Sequence, residues 1–155
     1  MDNFNKQHGF AAVETVVVTP ILILLFVIIV DVGRVMYHSL STAAAARAAA
    51  AYGAQSTSFI SDAAGMASIA KQDGVSLGKT AENPDIFIVN SSQYCVCVNG
   101  STKLNGCVQS DLDTCSSGHE RYVSVTVGRT FETLMNYQLV PSTIALSETA
   151  VLRVE

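Results

Sequence analysis

Four cysteines, Cys95, Cys97, Cys107 and Cys115, fall within 21 residues of a stretch rich in Ser, Asn and Gly. An even set so closely spaced has three fates: disulfides in an oxidising compartment, zinc thiolates, or reduced thiols in a cytoplasmic domain. Cys95 and Cys97 are separated by one residue, where structural zinc pairs use roughly two to four. A redox enzyme normally needs a low-pKa cysteine, often in a Cys-X-X-Cys arrangement, which this chain lacks. Disulfides are therefore the expected state. Other apparent sites fail on spacing. Gly74-Val-Ser-Leu-Gly78-Lys79-Thr80 is one residue short of a phosphate-wrapping P-loop, and no apolar strand precedes it. Asp111 and Asp113 lack the remaining ligands of a calcium loop. His8, His38 and His119 are scattered, so they assemble no Ser/His/Asp or metal set. Asn90-Ser-Ser and Asn99-Gly-Ser match glycosylation sequons, which arise often by chance. No catalytic residue, cofactor site or metal site is assigned.

The elements that would carry these residues begin with a hydrophobic helix. Val16 to Val30 is apolar except for Thr19 and Pro20, and extending back to Phe10 gives 21 residues with one charge, Glu14. At about 1.5 Å per residue that helix covers roughly 30 Å, the hydrocarbon thickness of a bilayer. A secretory signal peptide is the alternative, with Ala43 to Ala51 imitating a cleavage region. The apolar run is longer than such peptides use and continues through Asp31-Val-Gly-Arg34 into more helix-forming sequence, which favours a retained anchor. Pro20 removes one backbone donor, which membrane helices tolerate. With a formal charge of −4 and no basic run, the chain is not patterned for nucleic acid.

The expected organisation is a leader over residues 1–9, a transmembrane helix over 10–30, its helical continuation over 31–53 and an extracytoplasmic α+β domain over 54–155. Met1 to Gly9 is polar and resembles no folded element. In the continuation, Met36, Leu40, Ala43, Arg47 and Ala50 recur at helical spacing, giving one side small and apolar enough for another helix to approach. Phe59, Ala63, Met66 and Ala70 predict a short amphipathic helix ending near Gly74. Beyond Pro84 the period changes to two. Ile86 to Val89, Tyr94 to Val98, Tyr122 to Val127 and Ile144 to Val154 read as strands of a small antiparallel sheet. Val123, Val125 and Val127 share one face, and so do Leu146, Ala150, Leu152 and Val154. The Asn-Gly steps between Cys97 and Cys107 suit a chain reversal, which favours a nested pairing, Cys97 with Cys107 and Cys95 with Cys115, over the crossed one.

One short segment carries more information than its length suggests. In Gly9-Phe10-Ala11-Ala12-Val13-Glu14, a glycine precedes a hydrophobic residue, with a carboxylate at the fifth position after the glycine and an apolar run behind it. This resembles the processing site of type IV prepilins. The resemblance extends through Pro20, the Asp31-Val-Gly33-Arg34 exit and the alanine-rich segment around Arg47, and it is to the TadE-like family of pseudopilins of tight-adherence pilus systems. The alternation at Tyr122 to Val127 and the closing Ala150-Val-Leu-Arg153 are also similar, more weakly. By this resemblance a prepilin peptidase cuts between Gly9 and Phe10, the protein is a structural or assembly component and not an enzyme, and its partners are other pilin-like subunits and the inner-membrane assembly platform. It also implies that Glu14 pairs with the α-amino group of a neighbouring processed subunit. On physical grounds alone, a carboxylate in hydrocarbon calls for a partner, whereas one in the headgroup layer is simply solvated. The positive-inside count does not set the orientation, because Lys6 and His8 precede the span and Arg34 and Arg47 follow it. The cysteines and the leader both imply a cytoplasmic N-terminus. The rival reading is a signal-anchored extracytoplasmic binding or redox domain with no pilus role, and leader cleavage separates the two.

Overall fold

The fold is that of a computed structural model, whose described residues are 5–74, 87–98, 103–108, 115, 118–133 and 142–154. The near-P-loop beyond Gly74, Pro84, Asp111, Asp113 and the Asn99 sequon lie outside them. The chain divides into two units, one up to Met36 and one from Tyr37 onward.

A 50-residue helix, α1, runs over Asn5–Ala54 with Pro20 inside it. It begins within the leader, where no folded element was expected. The backbone hydrogen bond lost at Pro20 is tolerated here without a break in the helix. In the first unit, Arg34 meets the buried Asp31 at 3.3 Å, an (i, i+3) pair along the helix.

In the second unit the chain leaves α1 at Ala54, makes a 3-10 turn at Phe59–Ser61, and enters α2 at Ala63–Asp73. Asp62 caps α2. Its carboxylate accepts the Gly65 N–H at 2.8 Å and the Tyr52 hydroxyl at 2.9 Å, tying the start of α2 to the end of α1. These two hydrogen bonds, the Gly65 N–H first, hold the Asp62 carboxyl below its usual range, and the same contact raises the Tyr52 hydroxyl above its own. Gly74 closes the helix, as its sequence position suggested.

Four strands follow: β1 (Phe87–Cys97), β2 (Lys103–Asn105), β3 (His119–Glu132) and β4 (Thr143–Arg153). They form one antiparallel sheet in the order β2-β1-β3-β4. The two short strands expected at Ile86 to Val89 and Tyr94 to Val98 are one continuous strand, Phe87–Cys97. Alternation assigns the faces of β3: Val123, Val125 and Val127 are fully buried. Register carries that face across the sheet, pairing Val125 with Ser91 on one side and Ala150 on the other.

The buried side of α1 covers this face. Thr42, Ala45, Ala46, Ala49 and Ala50 are at most 1% exposed, and they share a core with Ile60, Met66, Ala70 and the β3 valines. Alanine is what lets helix backbone and sheet approach closely here. The side with Met36, Leu40 and Arg47 faces away and stays exposed.

All four cysteines are in disulfides, as expected, but the connectivity is the crossed one: Cys95 with Cys107 and Cys97 with Cys115, each with Cα atoms 5.2 Å apart. The nested pairing is corrected by register. It required a reversal that set Cys97 opposite Cys107. Instead β1 and β2 pair Cys95 with Leu104 and Val96 with Lys103, so Cys97 lies beyond their last register pair at one end and Cys107 beyond β2 at the other. Beyond β2, Gly106 and Cys107 adopt positive φ, 83° and 48°, and curl the chain back towards Cys95. Cys97 lies opposite His119 at the start of β3, and Cys115 arrives there just before it through Gly118, whose carbonyl accepts the Val98 N–H.

Candidate functional site

The segment Ala12 to Val30 offers a surface that a soluble protein would bury. Val16 is 71% exposed and Phe26 66%, and only 6% of the most apolar stretch of the helix is covered by the rest of the protein. The core helix of a soluble domain is mostly buried, so this exposure fits a single-pass membrane anchor. The exposed apolar stripe continues past Val30 through Val32, Met36 and Leu40.

Within the segment, polar groups gather near its start. Glu14 is exposed beside Val13, Val17 and Val18 on the rim of a shallow groove. Among the described residues its carboxylate has no hydrogen-bond or ion-pair partner. A second shallow groove is lined by Thr15, Val16, Thr19, Pro20 and Ile23. Pro20 has no N–H to offer the Val16 carbonyl, while the Thr19 hydroxyl donates to the Thr15 carbonyl at 2.7 Å, satisfying its own donor inside the helix. The backbone of Gly9 and Phe10 is helical. A peptidase that cuts an extended substrate would first have to unwind that turn.

The cysteines lie in the other unit, at the β1–β2 end of the sheet. With all four in disulfides, they are neither zinc thiolates nor reactive thiols. Among the described residues no group of three or more His, Cys, Asp or Glu side chains could hold a metal. His119 begins β3 far in register from His38, which faces Arg129 near the other end of that strand.

Among the described residues, several polar contacts of the second unit have no counterpart in the expectations from sequence. Arg129 Nη1 lies 2.9 Å from His38 Nδ1, the Ser39 hydroxyl donates to Glu148 at 3.0 Å, and Tyr52 reaches Asp62 as described above. The first had a signal: Arg129 continues the inward phase of Val123, Val125 and Val127, and His38 stands one helical turn before Thr42 on the buried side of α1. On the opposite sheet face, Tyr94 and Tyr122 stack at 5.3 Å and Glu120 receives both the Tyr122 hydroxyl at 2.7 Å and Arg153 at 2.8 Å. The first of these bonds raises the Tyr122 hydroxyl above its ordinary value.

The exposed apolar helix, its acid near the start and its alanine-rich continuation coincide with a family match. Residues 9–51 match the model of the TadE-like protein family. That stretch begins at Gly9 and takes in Glu14, Pro20, the Asp31 to Arg34 exit and the alanines packed on the sheet. The sheet and both disulfides lie beyond it. The TadE-like match points to a pilus-associated, pilin-like component of a structural rather than catalytic kind. No curated protein and no solved structure matches the chain.

Proposed function

We propose that this protein is a pseudopilin or minor-pilin-like component of tight-adherence pilus assembly, anchored in the inner membrane by residues 10–30 and acting by helix association. The observation that carries the reading is that the TadE-like match over residues 9–51 contains the exposed apolar stretch of α1. A prepilin peptidase removes residues 1–9, cutting between Gly9 and Phe10. The N-terminus faces the cytoplasm and the disulfide-bonded domain lies outside the membrane, where two disulfides persist.

The chemistry is association. Removal of the leader places an α-amino group at Phe10, one helical turn before Glu14, so each mature helix carries an amine and a carboxylate that a neighbouring copy or pilin-like partner can complement in hydrocarbon. Small residues and the exposed Val32, Met36 and Leu40 stripe let further helices, including those of the assembly platform, approach along α1.

Mass spectrometry of the mature N-terminus tests the reading. Phe10 is the expected first residue, and Gly9→Val is expected to leave a heavier, unprocessed precursor, because a β-branched side chain crowds the backbone at the cut. A mature protein that begins at Met1 would instead favour a plain signal-anchored domain.

A further inference from the structure

At the end of the sheet that carries β2, the outer face gathers side chains whose contacts bear on one-electron chemistry. Tyr94 and Tyr122 are register partners on β1 and β3, so both rings stand on the same face. They stack with 5.3 Å between centroids and 11° between planes. The Tyr122 hydroxyl donates to Glu120 Oε2 at 2.7 Å, and Arg153 Nη1 holds the other oxygen, Oε1, at 2.8 Å. Lys103 Nζ, from β2, lies 5.1 Å from the Tyr94 centroid.

These contacts give the two rings different roles. A phenol gives up an electron readily only when its proton leaves at the same moment, because the cation radical otherwise left behind is a very strong acid. Tyr122 has a carboxylate in place for that proton. Over Tyr94, the Lys103 ammonium is attracted by the electron-rich ring face and opposes the loss of an electron from it. Tyr122 is therefore oxidised first, and Tyr94 is the ring beside it. Among the described residues, the other tyrosines lack half of this arrangement. Tyr52 donates to Asp62 at 2.9 Å, but its ring neighbour at 4.8 Å is Phe59, which has no hydroxyl. Tyr37 meets the His38 ring.

We propose that Tyr94 and Tyr122 form an oxidative cross-linking site, at which a one-electron oxidant of the peroxidase or photo-oxidised metal-complex class joins β1 to β3 through a ring-to-ring carbon bond. The oxidant takes an electron from Tyr122 as the phenolic proton passes to Glu120. A second equivalent takes an electron from Tyr94, whose proton goes to water. The two phenoxyl radicals couple at ring carbons ortho to their oxygens, and the hydrogens on those carbons move to the oxygens, so both rings end as phenols. Two equivalents of oxidant are reduced, two protons are released, two C–H bonds break and one C–C bond forms. The χ2 torsion of tyrosine is broad, so the stacked rings come into coupling distance by turning within their χ1 wells. The bond joins strands that are already neighbours, which leaves the sheet intact. The inference does not depend on the pilus reading.

Brief irradiation of the dilute full-length protein in detergent micelles, with a ruthenium tris-bipyridyl complex and persulfate, supplies the oxidant. The expected first product is a chain of monomer size with dityrosine fluorescence. Its peptide map should hold Tyr94 and Tyr122 in one cross-linked peptide, lighter than the sum of its parts by two hydrogens. This wild-type readout needs no variant. Tyr94→Phe and Tyr122→Phe are each expected to lose the product. Glu120→Gln, on the exposed sheet face, is expected to slow its formation by about tenfold, short of the ~100-fold that a positioned base typically contributes, because water also reaches this face. Asp62→Asn, which alters only the base beside Tyr52, is expected to leave the rate unchanged. A first cross-link through any other tyrosine, cross-links only between chains, no dityrosine, or a Glu120→Gln rate equal to that of wild type would each overturn the proposal.

Discussion

Gly53 marks a close approach between α1 and the core, and replacing it measures how tightly helix and sheet are fitted. A Cβ at this position would lie 2.7 Å from Met66 Sδ and 3.1 Å from a Val123 methyl. Both neighbours are fully buried, so neither can swing into solvent. Gly→Ala in a helix interior gains up to about 1 kcal/mol in propensity, less this close to the helix end. Overpacking a filled core costs about 1–3 kcal/mol, so Gly53→Ala is expected to lose about 1–2 kcal/mol net. Met66→Ala alone opens a cavity and costs about 2–5 kcal/mol. In the double variant the new methyl enters the vacated space, and the combined loss should fall short of the sum by about 1–2 kcal/mol. Urea unfolding of the full-length protein in detergent, followed by near-ultraviolet circular dichroism of its five tyrosines, supplies all four corners of the cycle. A Gly53→Ala variant as stable as wild type, or additivity within about 0.5 kcal/mol, would refute the contact.

Non-reducing peptide mapping should recover Cys95–Cys107 and Cys97–Cys115. Replacing either pair by alanine should cost about 3 kcal/mol, as expected for loops of sequence separation 12 and 18, and recovery of a nested pairing would contradict the β1–β2 register. The depressed Asp62 carboxyl contributes stability that is present above its unfolded pKa and lost as pH falls through the lower folded value. Asp62→Asn, which keeps a capping oxygen, should flatten this acid loss in a pH series of thermal melts, and an unchanged slope would exclude the cap as its source. Glu14→Ala should leave membrane insertion intact while weakening co-purification with pilin-like partners. Full co-purification would show that the carboxylate is merely solvated.

Local pattern determined much of this protein. A run of apolar residues long enough to span a bilayer needs no tertiary partner to be recognised, and period two in Tyr122 to Val127 assigned the buried face of β3 because side chains alternate whatever the neighbouring strand. Gly74 at the end of α2 was legible for the same reason. The tertiary structure decided what depends on register and on docking. Cys95 and Cys97 point to the same face in any register, so their spacing could not choose partners. The offset between β1 and β2, together with the positive φ at Gly106 and Cys107, did. Likewise the alanine-rich helix has small residues on more than one side, and periodicity could not say which side meets the sheet. That side carries His38, Thr42, Ala45, Ala46, Ala49 and Ala50: its alanines share a core with the β3 valines, and its imidazole reaches Arg129, 91 residues away in sequence.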